Sequence, residues 1–322
     1  MGSRTAEGAA RFVGEHGLAA ARAHASYEAL LADPEVEAVY IATPHPFHLE
    51  WAVKAAEAGK HVLCEKPAGM NLAEGRRMIE VARRADVLFM EAFMYRCHPQ
   101  TAKIVELVRT GAVGEVKFVQ ASFGFRSDYA SGSRLWNKAL GGGAILDVGC
   151  YPVSFARLIA GAAAATGGAS GAAAFADPVE LTGAVAELHP EGGADVFSAA
   201  TLRFAGGMTA QVACAVGLAI DNRARVHGTE GWIEVPHPWI ITKAGGEETL
   251  LVHRRGATRP EEIRVTAPNV YSLEADAFAE AVRGGARAVA AMTPEDTLGN
   301  LAALDRWRAA AGLRYPADDA SG

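Results

Sequence analysis

Between residues 36 and 93, three apolar β-branched runs, VEAVYIAT, KHVLCEKP and VLFMEAF, alternate with two helical stretches, FHLEWAVKAAEA and NLAEGRRMIEVARRA. Strands separated by helices of this length cannot be paired through a hairpin. Each connection must cross over, right-handed, to a parallel neighbour, and this alternation constrains the fold more than any other feature of the chain. Local signals agree. Asn71, with Glu74 three residues on, opens the second helix as a capping pair, and Gly59 closes the first. A further helix is expected over 5–16, with Ala10, Phe12 and Val13 on its apolar side.

Open parallel sheets bind ligands beyond the carboxyl ends of their strands. Each of these ends carries polar chemistry: Thr43, Pro44 and His48 after the first run, Glu65 and Lys66 after the second, Tyr95, Arg96 and His98 after the third. Pro67 forces an extended backbone on Lys66, whose side chain then projects at the sheet edge. The bland alternative is a surface lysine paired with Glu65. At a crevice the cation can orient a substrate hydroxyl or lower the pKa of a neighbouring acid, and burial would bring its own pKa down toward that of a working base.

Beyond residue 115 the texture changes. EVKFVQASFGF alternates as a half-buried strand, GGGAILDVGCYPVSFARLIAG passes from a flexible loop into a helix, and several strands with short turns follow from 180 to about 235. The fold class is therefore α/β, a Rossmann-type parallel sheet followed by an α+β domain with an open-faced sheet, divided as 1–94 and 95–322. The small-residue stretch AAAATGGASGAAAFADP is expected to be an exposed loop. The tail holds two amphipathic helices, the second with Thr293 as cap and Pro294 at its first position. Pro152 must lie in the first turn of its helix, which puts the start at or after about Val148 and Asp147 near the cap. Asp147 and Tyr151 then bring a carboxylate and a phenol to one end of that helix, with glycines 141–143 letting backbone approach a ligand; the alternative is a cap and a packed ring. Arg126, Arg134 and Trp136, with Arg96 and His98, are candidates for lining a substrate pocket. His227, His237 and His253 lack metal spacing and read as structural or surface groups.

Half of the residues are hydrophobic and the net charge is −6, with no Lys/Arg-rich run to track a phosphate backbone, so a nucleic-acid binder is disfavoured. The four cysteines (Cys64, Cys97, Cys150, Cys214) are scattered without metal or disulfide spacing, which suits a reducing cytosol and gives no metal site. No apolar stretch reaches the roughly 20 residues of a membrane span, and the start lacks a signal core. A small-molecule ligand is the expected partner.

CEKP, IATPHPFH, MEAFMYRCHPQ, VGEVKFVQASFGF, GGGAILDVGCYP and the C-terminal LDRWRAAAGLRYP, in this order, resemble the glucose-fructose oxidoreductase, inositol dehydrogenase and rhizopine-catabolism family, Gfo/Idh/MocA. A tyrosine at 151, where inositol dehydrogenases carry histidine, is similar to the branch of dimeric dihydrodiol dehydrogenases and NADP-dependent xylose dehydrogenases. The resemblance implies hydride transfer between a nicotinamide and a sugar, polyol or cyclic diol carbon, with the second domain pairing subunits into a homodimer or larger assembly. It implies that Lys66 sits beside nicotinamide and substrate hydroxyl, that Tyr151 is the acid/base, and that Asp147 holds the substrate or tunes the pair. Thr43, Pro44, His48, Glu65 and Lys66 would face the cofactor.

The family opens with a strand and a GxGxxG turn, and the chain begins instead at MGSRTAEGAARF. The expectation is that roughly 30 residues, one βα unit and most of a second strand, are missing from the dinucleotide domain, through a misassigned start or a real loss. SR matches the end of the family's second strand. An acidic residue there grips the ribose of NAD, whereas arginine accommodates the 2′-phosphate, so Ser3 and Arg4 favour NADP over NAD. The leading expectation is a cytoplasmic NADP-preferring oxidoreductase; the alternatives are a non-catalytic ligand-binding relative and an NAD-dependent glycosidase of the same fold.

Overall fold

β2 (His61–Glu65) runs between β1 (Ala38–Ile41) and β3 (Phe89–Ala92) in a parallel sheet of order β1-β2-β3. The computed structural model describes residues 1–18, 21–166 and 175–319. Register sets Ile41 beside Cys64 and Cys64 beside Glu91, so the three carboxyl ends finish level. The crossovers are α3 (His48–Glu57) and α4 (Leu72–Arg84), preceded in the chain by α1 (Ala6–Glu15) and α2 (Tyr27–Leu31). Asn71 with Glu74 caps α4 as the sequence specifies, and Thr5, read as the first residue of the helix, is the cap of α1. Thr5 Oγ1 accepts from Gly8 N at 3.1 Å and Asn71 Oδ1 from Glu74 N at 3.0 Å, while Glu74 reaches back to Met70 N at 2.8 Å. Among the described residues β1 is an edge strand; Tyr40 is 54% exposed on it and donates its hydroxyl hydrogen bond to Glu65.

The second sheet has order β11-β10-β9-β8-β4-β7-β6-β5, formed by β4 (Val116–Gly124), β5 (Pro178–Leu188), β6 (Asp195–Phe204), β7 (Thr209–Ala215), β8 (Ala224–Gly228), β9 (Gly231–Val235), β10 (Gly246–Arg254) and β11 (Glu261–Ala267). Only the β4–β7 pair is parallel. β10 and β11 extend the sheet beyond the span read as strands. Their polar alternate positions, such as Glu247, His253, Glu262 and Arg264, mask the apolar ones.

α5 (Pro99–Arg109), α6 (Cys150–Ala164), α7 (Val270–Arg283), α8 (Pro294–Ala310) and the short α9 (Pro316–Asp319) complete the chain. α6 is buried all round because it has no polar face, and it lies between the sheet and α8. Within the helical run 138–164 an 18-residue window is apolar enough to cross a membrane by length and composition alone, a stretch the sequence reading did not single out; that window is wholly buried inside the fold. α8 packs on α6 and also on β3 and α4, so the C-terminal helix binds both sheets. The expected loop 162–178 is folded at each end: α6 runs to Ala164, the Phe175 ring lies 4.8 Å from the Arg157 guanidinium, and β5 begins at Pro178; residues 167–174 are outside the described residues.

Candidate active site

The turn after β2 carries Lys66 and is held from three sides. Glu91 Oε1 accepts from Ala68 N at 2.9 Å, the Cys64 thiol reaches Ala68 O at 3.8 Å, and His48 Nδ1 contacts Pro67 O at 3.0 Å. From this turn Lys66 Nζ donates to the carbonyl of Asp147 at 2.7 Å, lies 3.8 Å from the Asp147 carboxylate, and stands 5.3 Å from the centroid of the Tyr151 ring. Lysine, aspartate and tyrosine therefore converge as the sequence predicted.

The helix that presents Asp147 begins earlier than expected. A wide turn of π-helix, Ile145–Gly149, precedes α6, and it is Asp195 that caps it, Oδ2 accepting from Ile145 N at 2.7 Å. Pro152 lies in the first turn of α6, as read, but the π turn ahead of it was not foreseen. Five residues back from the proline, the π-helical count, is Asp147, and the carbonyl that proline cannot serve takes the lysine ammonium instead. The Asp147 side chain, freed from capping, also receives Arg134, Nη1 at 3.2 Å and Nη2 at 3.3 Å. Glycines 141–143 are pressed by the protein itself, not opened to a ligand. A Cβ at Gly142 would overlap the Leu135 carbonyl, and one at Gly143, which has φ 121°, would overlap Asp195.

Charge sets the protonation of the cluster. Burial disfavours the Lys66 ammonium, but Asp147, Cys150 and Glu65 outweigh it and its pKa is raised, which corrects the expectation of a lowered one. Lys66 is a standing cation. Burial likewise raises Asp147, yet Lys66 and Arg134 bring the net shift down, so it is a carboxylate. Burial pushes the Tyr151 phenol well above its ordinary value, and its hydroxyl rests on Met94 Sδ at 3.3 Å, a weak acceptor readily exchanged for a better one.

His45, unremarked in the sequence, belongs here. Its Nδ1 contacts Gly141 O at 3.1 Å, so the proton is on Nδ1, and burial, with His48 and the Lys66 cation adding to it, takes its pKa down to about 3. A contact spanning 96 residues left no local signal. Glu91 and Asp195 escaped notice for the same reason.

Other candidates fall in different places. His48 is fully buried with Nε2 on Thr43 O at 2.8 Å and Nδ1 on Pro67 O; it braces the turn and cannot touch a cofactor directly. Thr43, Pro44 and Glu65 lie at the strand ends as expected, Thr43 Oγ1 being buried without a partner. Arg134 joins the cluster, but the other four substrate candidates do not. Arg96 is locked to Asp296 at 2.6 Å, His98 bonds Gln100 N and Thr242 Oγ1, Trp136 donates to Asp128 O at 3.0 Å beneath Tyr129 and His189, and Arg126 is a solvated partner of Asp128. Ser3 sits before α1, and Arg4 is exposed with no ion pair among the described residues.

Thr43, with an orphaned hydroxyl, and Lys66, a fixed cation, suit the reactive end of a nicotinamide dinucleotide, and the free guanidinium of Arg4 suits the 2′-phosphate at its adenosine end. None of the described strands leads through a glycine-rich turn into a helix, so no residue is assigned to a pyrophosphate.

Comparison with known proteins gives the family and the fold. Residues 2–93 match a family described as "Oxidoreductase family, NAD-binding Rossmann fold", and residues 101–234 match the GFO/IDH/MocA C-terminal domain. An uncharacterized oxidoreductase of Rhizobium meliloti is 35% identical over 82% of this chain and 75% of its own length. A trans-1,2-dihydrobenzene-1,2-diol dehydrogenase of Danio rerio is 38% identical over 71% of this chain and 64% of its own, and an NADP-dependent D-xylose 1-dehydrogenase of Haloferax volcanii 35% identical over 82% and 75%. The chain thus spans about two thirds to three quarters of these relatives. Among solved structures, a 3-ketoreductase from Actinomadura kijaniata with NADP and TDP-benzene superposes with TM-score 0.83 at 29% identity, covering 96% of this chain and 88% of the other.

Proposed function

The chain belongs to the GFO/IDH/MocA family of oxidoreductases, and from that premise we propose that it transfers hydride between a nicotinamide dinucleotide, NADP in preference to NAD, and the CH–OH carbon of a sugar, polyol or cyclic diol. The observation that carries the reading is the convergence of Lys66, Asp147 and Tyr151 at the carboxyl edge of the parallel sheet. The bound nicotinamide supplies a hydride acceptor or donor at ring carbon C4.

The chain's own groups move the proton. Tyr151 is protonated across neutral pH and donates to a carbonyl oxygen in reduction; in oxidation it must first lose that proton. Lys66 stays charged, orients the substrate oxygen and favours the phenolate. Asp147 and Arg134 hold the lysine in place and offer hydroxyl partners. Thr43 and Arg4 are the cofactor contacts with free capacity. The division 1–94 for cofactor and 95–322 for substrate follows the two sheets. Relatives acting on dihydrodiols and D-xylose support a polyhydroxylated substrate.

The uncovered face of the eight-stranded sheet bears an aromatic ladder of Phe118, His227, Trp232 and His253, rings stacked from 4.2 to 6.4 Å, and we assign it to pairing of subunits. Four free cysteines suit a cytoplasmic setting.

Arg4→Ala tests the cofactor. The KM for NADP rises several-fold more than the KM for NAD; equal effects on both would contradict the assignment.

A further inference from the structure

We infer that Glu91 is a positioning residue for this reaction, a strut that ties the Lys66 turn to the helix carrying Asp147 and Tyr151. The inference rests on the proposed function only for its effect on turnover.

Glu91 lies on β3 in register with Cys64, two residues before Lys66 on the neighbouring strand, and is completely buried. Its Oε1 takes the Ala68 N–H at 2.9 Å, a bond that closes the turn from which the lysine projects. Its Oε2 and the hydroxyl of Thr297 on α8 are both buried and have no other partner, and the threonine acts on the carboxyl in the direction of a hydrogen bond, lowering its pKa against burial. One turn along α8, on the same face, Asn300 Nδ2 reaches the carbonyl of Cys150, the residue before Tyr151, at 3.4 Å. From the preceding turn Asp296 grips Arg157 of α6 at 2.5 Å and Arg96 at 2.6 Å. One carboxylate thus stands between the two backbones whose separation sets the distance from Lys66 to Tyr151.

A buried carboxylate is a poor structural choice if only a turn is to be closed, since a neutral amide would serve without the desolvation cost. Its distinguishing property is charge. A carboxylate accepts an amide hydrogen more strongly than a protonated acid does. The groups facing it are Thr297 and Asp296 from α8, Arg157 and Cys150 from α6, and Cys64 from β2. Burial lifts its pKa to about 7, with Asp296 adding to the rise and Arg157 opposing it. The strut therefore tightens as pH rises through neutrality.

The test compares wild type, Glu91→Gln and Glu91→Ala by hydrogen exchange of the amides in residues 65–70, corrected for intrinsic rate, across about pH 6 to about pH 8. Protection of Ala68 in the wild type increases with pH, is pH-independent in Glu91→Gln, which keeps an acceptor but no charge, and is lost in Glu91→Ala. Turnover follows, with kcat falling about tenfold or more in Glu91→Ala, less in Glu91→Gln, and the KM for the dinucleotide changing little. Wild-type exchange that ignores pH, or variants matching it, overturns the strut whether or not turnover is found. The expected exchange pattern without any nicotinamide-linked turnover keeps the strut and rejects the proposed function. Should Glu91→Ala not fold, Thr297→Val provides the second variant, with the same shift in smaller degree; no change there overturns the coupling to α8.

Discussion

At the residue scale, the site is a cation fixed between a carbonyl, a carboxylate and a phenol. Lys66 remains charged because Asp147, Cys150 and Glu65 together outweigh the cost of burying it, and Tyr151 keeps its proton because burial, with Cys150 and Glu65 adding to it, holds its pKa well up. The sign follows directly. Carbonyl reduction, which uses the protonated phenol, is flat with pH through neutrality, whereas alcohol oxidation, which needs the phenolate, accelerates from about pH 7 to about pH 9 without levelling. Tyr151→Phe abolishes that rise and lowers kcat by about 10²- to 10⁴-fold; a steady-state pH profile in both directions checks it. Lys66, Asp147 and Tyr151 were legible in the sequence because motif and strand-end position mark them, and Arg134 was one of five loop and strand-end candidates for the pocket. Glu91, Asp195 and His45 were not: their partners lie 23, 50 and 96 residues away, a separation that no local pattern encodes. Arg96 and His98 misled because a polar residue after a strand reads alike whether it faces a ligand or, as here, an ion pair and a helix cap.

At the element scale, helices and strands of the parallel sheet follow periodicity and caps, and boundaries agree with the reading to within a few residues. α6 itself starts at Cys150 with Pro152 in its first turn, as read; the π turn Ile145–Gly149 ahead of it was not, and its Asp147 carbonyl takes Lys66. α8 is the element that joins the sheets, through the buried Arg96–Asp296–Arg157 group. Asp296→Ala leaves two buried guanidinium groups short of their shared carboxylate and destabilises by about 3–5 kcal/mol, read as a fall in urea midpoint at unchanged slope. A loss under about 1 kcal/mol would mean that α8 is held by apolar packing alone. On the outer sheet face, Trp232→Glu places charge in the aromatic ladder and shifts the protein to monomer in light scattering, with the melting curve of the monomer retained. An unchanged mass would locate the subunit contact elsewhere.

For the whole molecule, burial of carboxyls makes stability a function of pH. Asp195 is raised to about 6, Glu91 to about 7 and Glu274 to about 8, each chiefly by burial. Each is protonated in the folded state where the unfolded chain has released its proton, so the stability it contributes is fully present below the unfolded pKa and lost as pH rises through the folded one. Asp147, held low by Lys66 and Arg134 against burial, has the opposite sign and withdraws stability as pH falls through its lowered pKa. Melting temperature is therefore highest near about pH 5 and declines toward about pH 8, and Glu274→Gln flattens the upper part of the decline; a melting temperature rising from pH 5 to 8 would contradict these shifts.

The account turns on a nicotinamide-linked reaction driven from Lys66. Its most direct test is absorbance of the reduced cofactor at 340 nm, an ordinary assay wavelength, on mixing purified protein with NADP and a panel of aldoses, polyols and cyclic diols, beside Lys66→Ala. Turnover with at least one member, reduced about 10²-fold or more in Lys66→Ala, is the predicted result. Turnover equal in the two proteins would contradict the role of Lys66, and none across the panel would contradict the oxidoreductase reading of this chain.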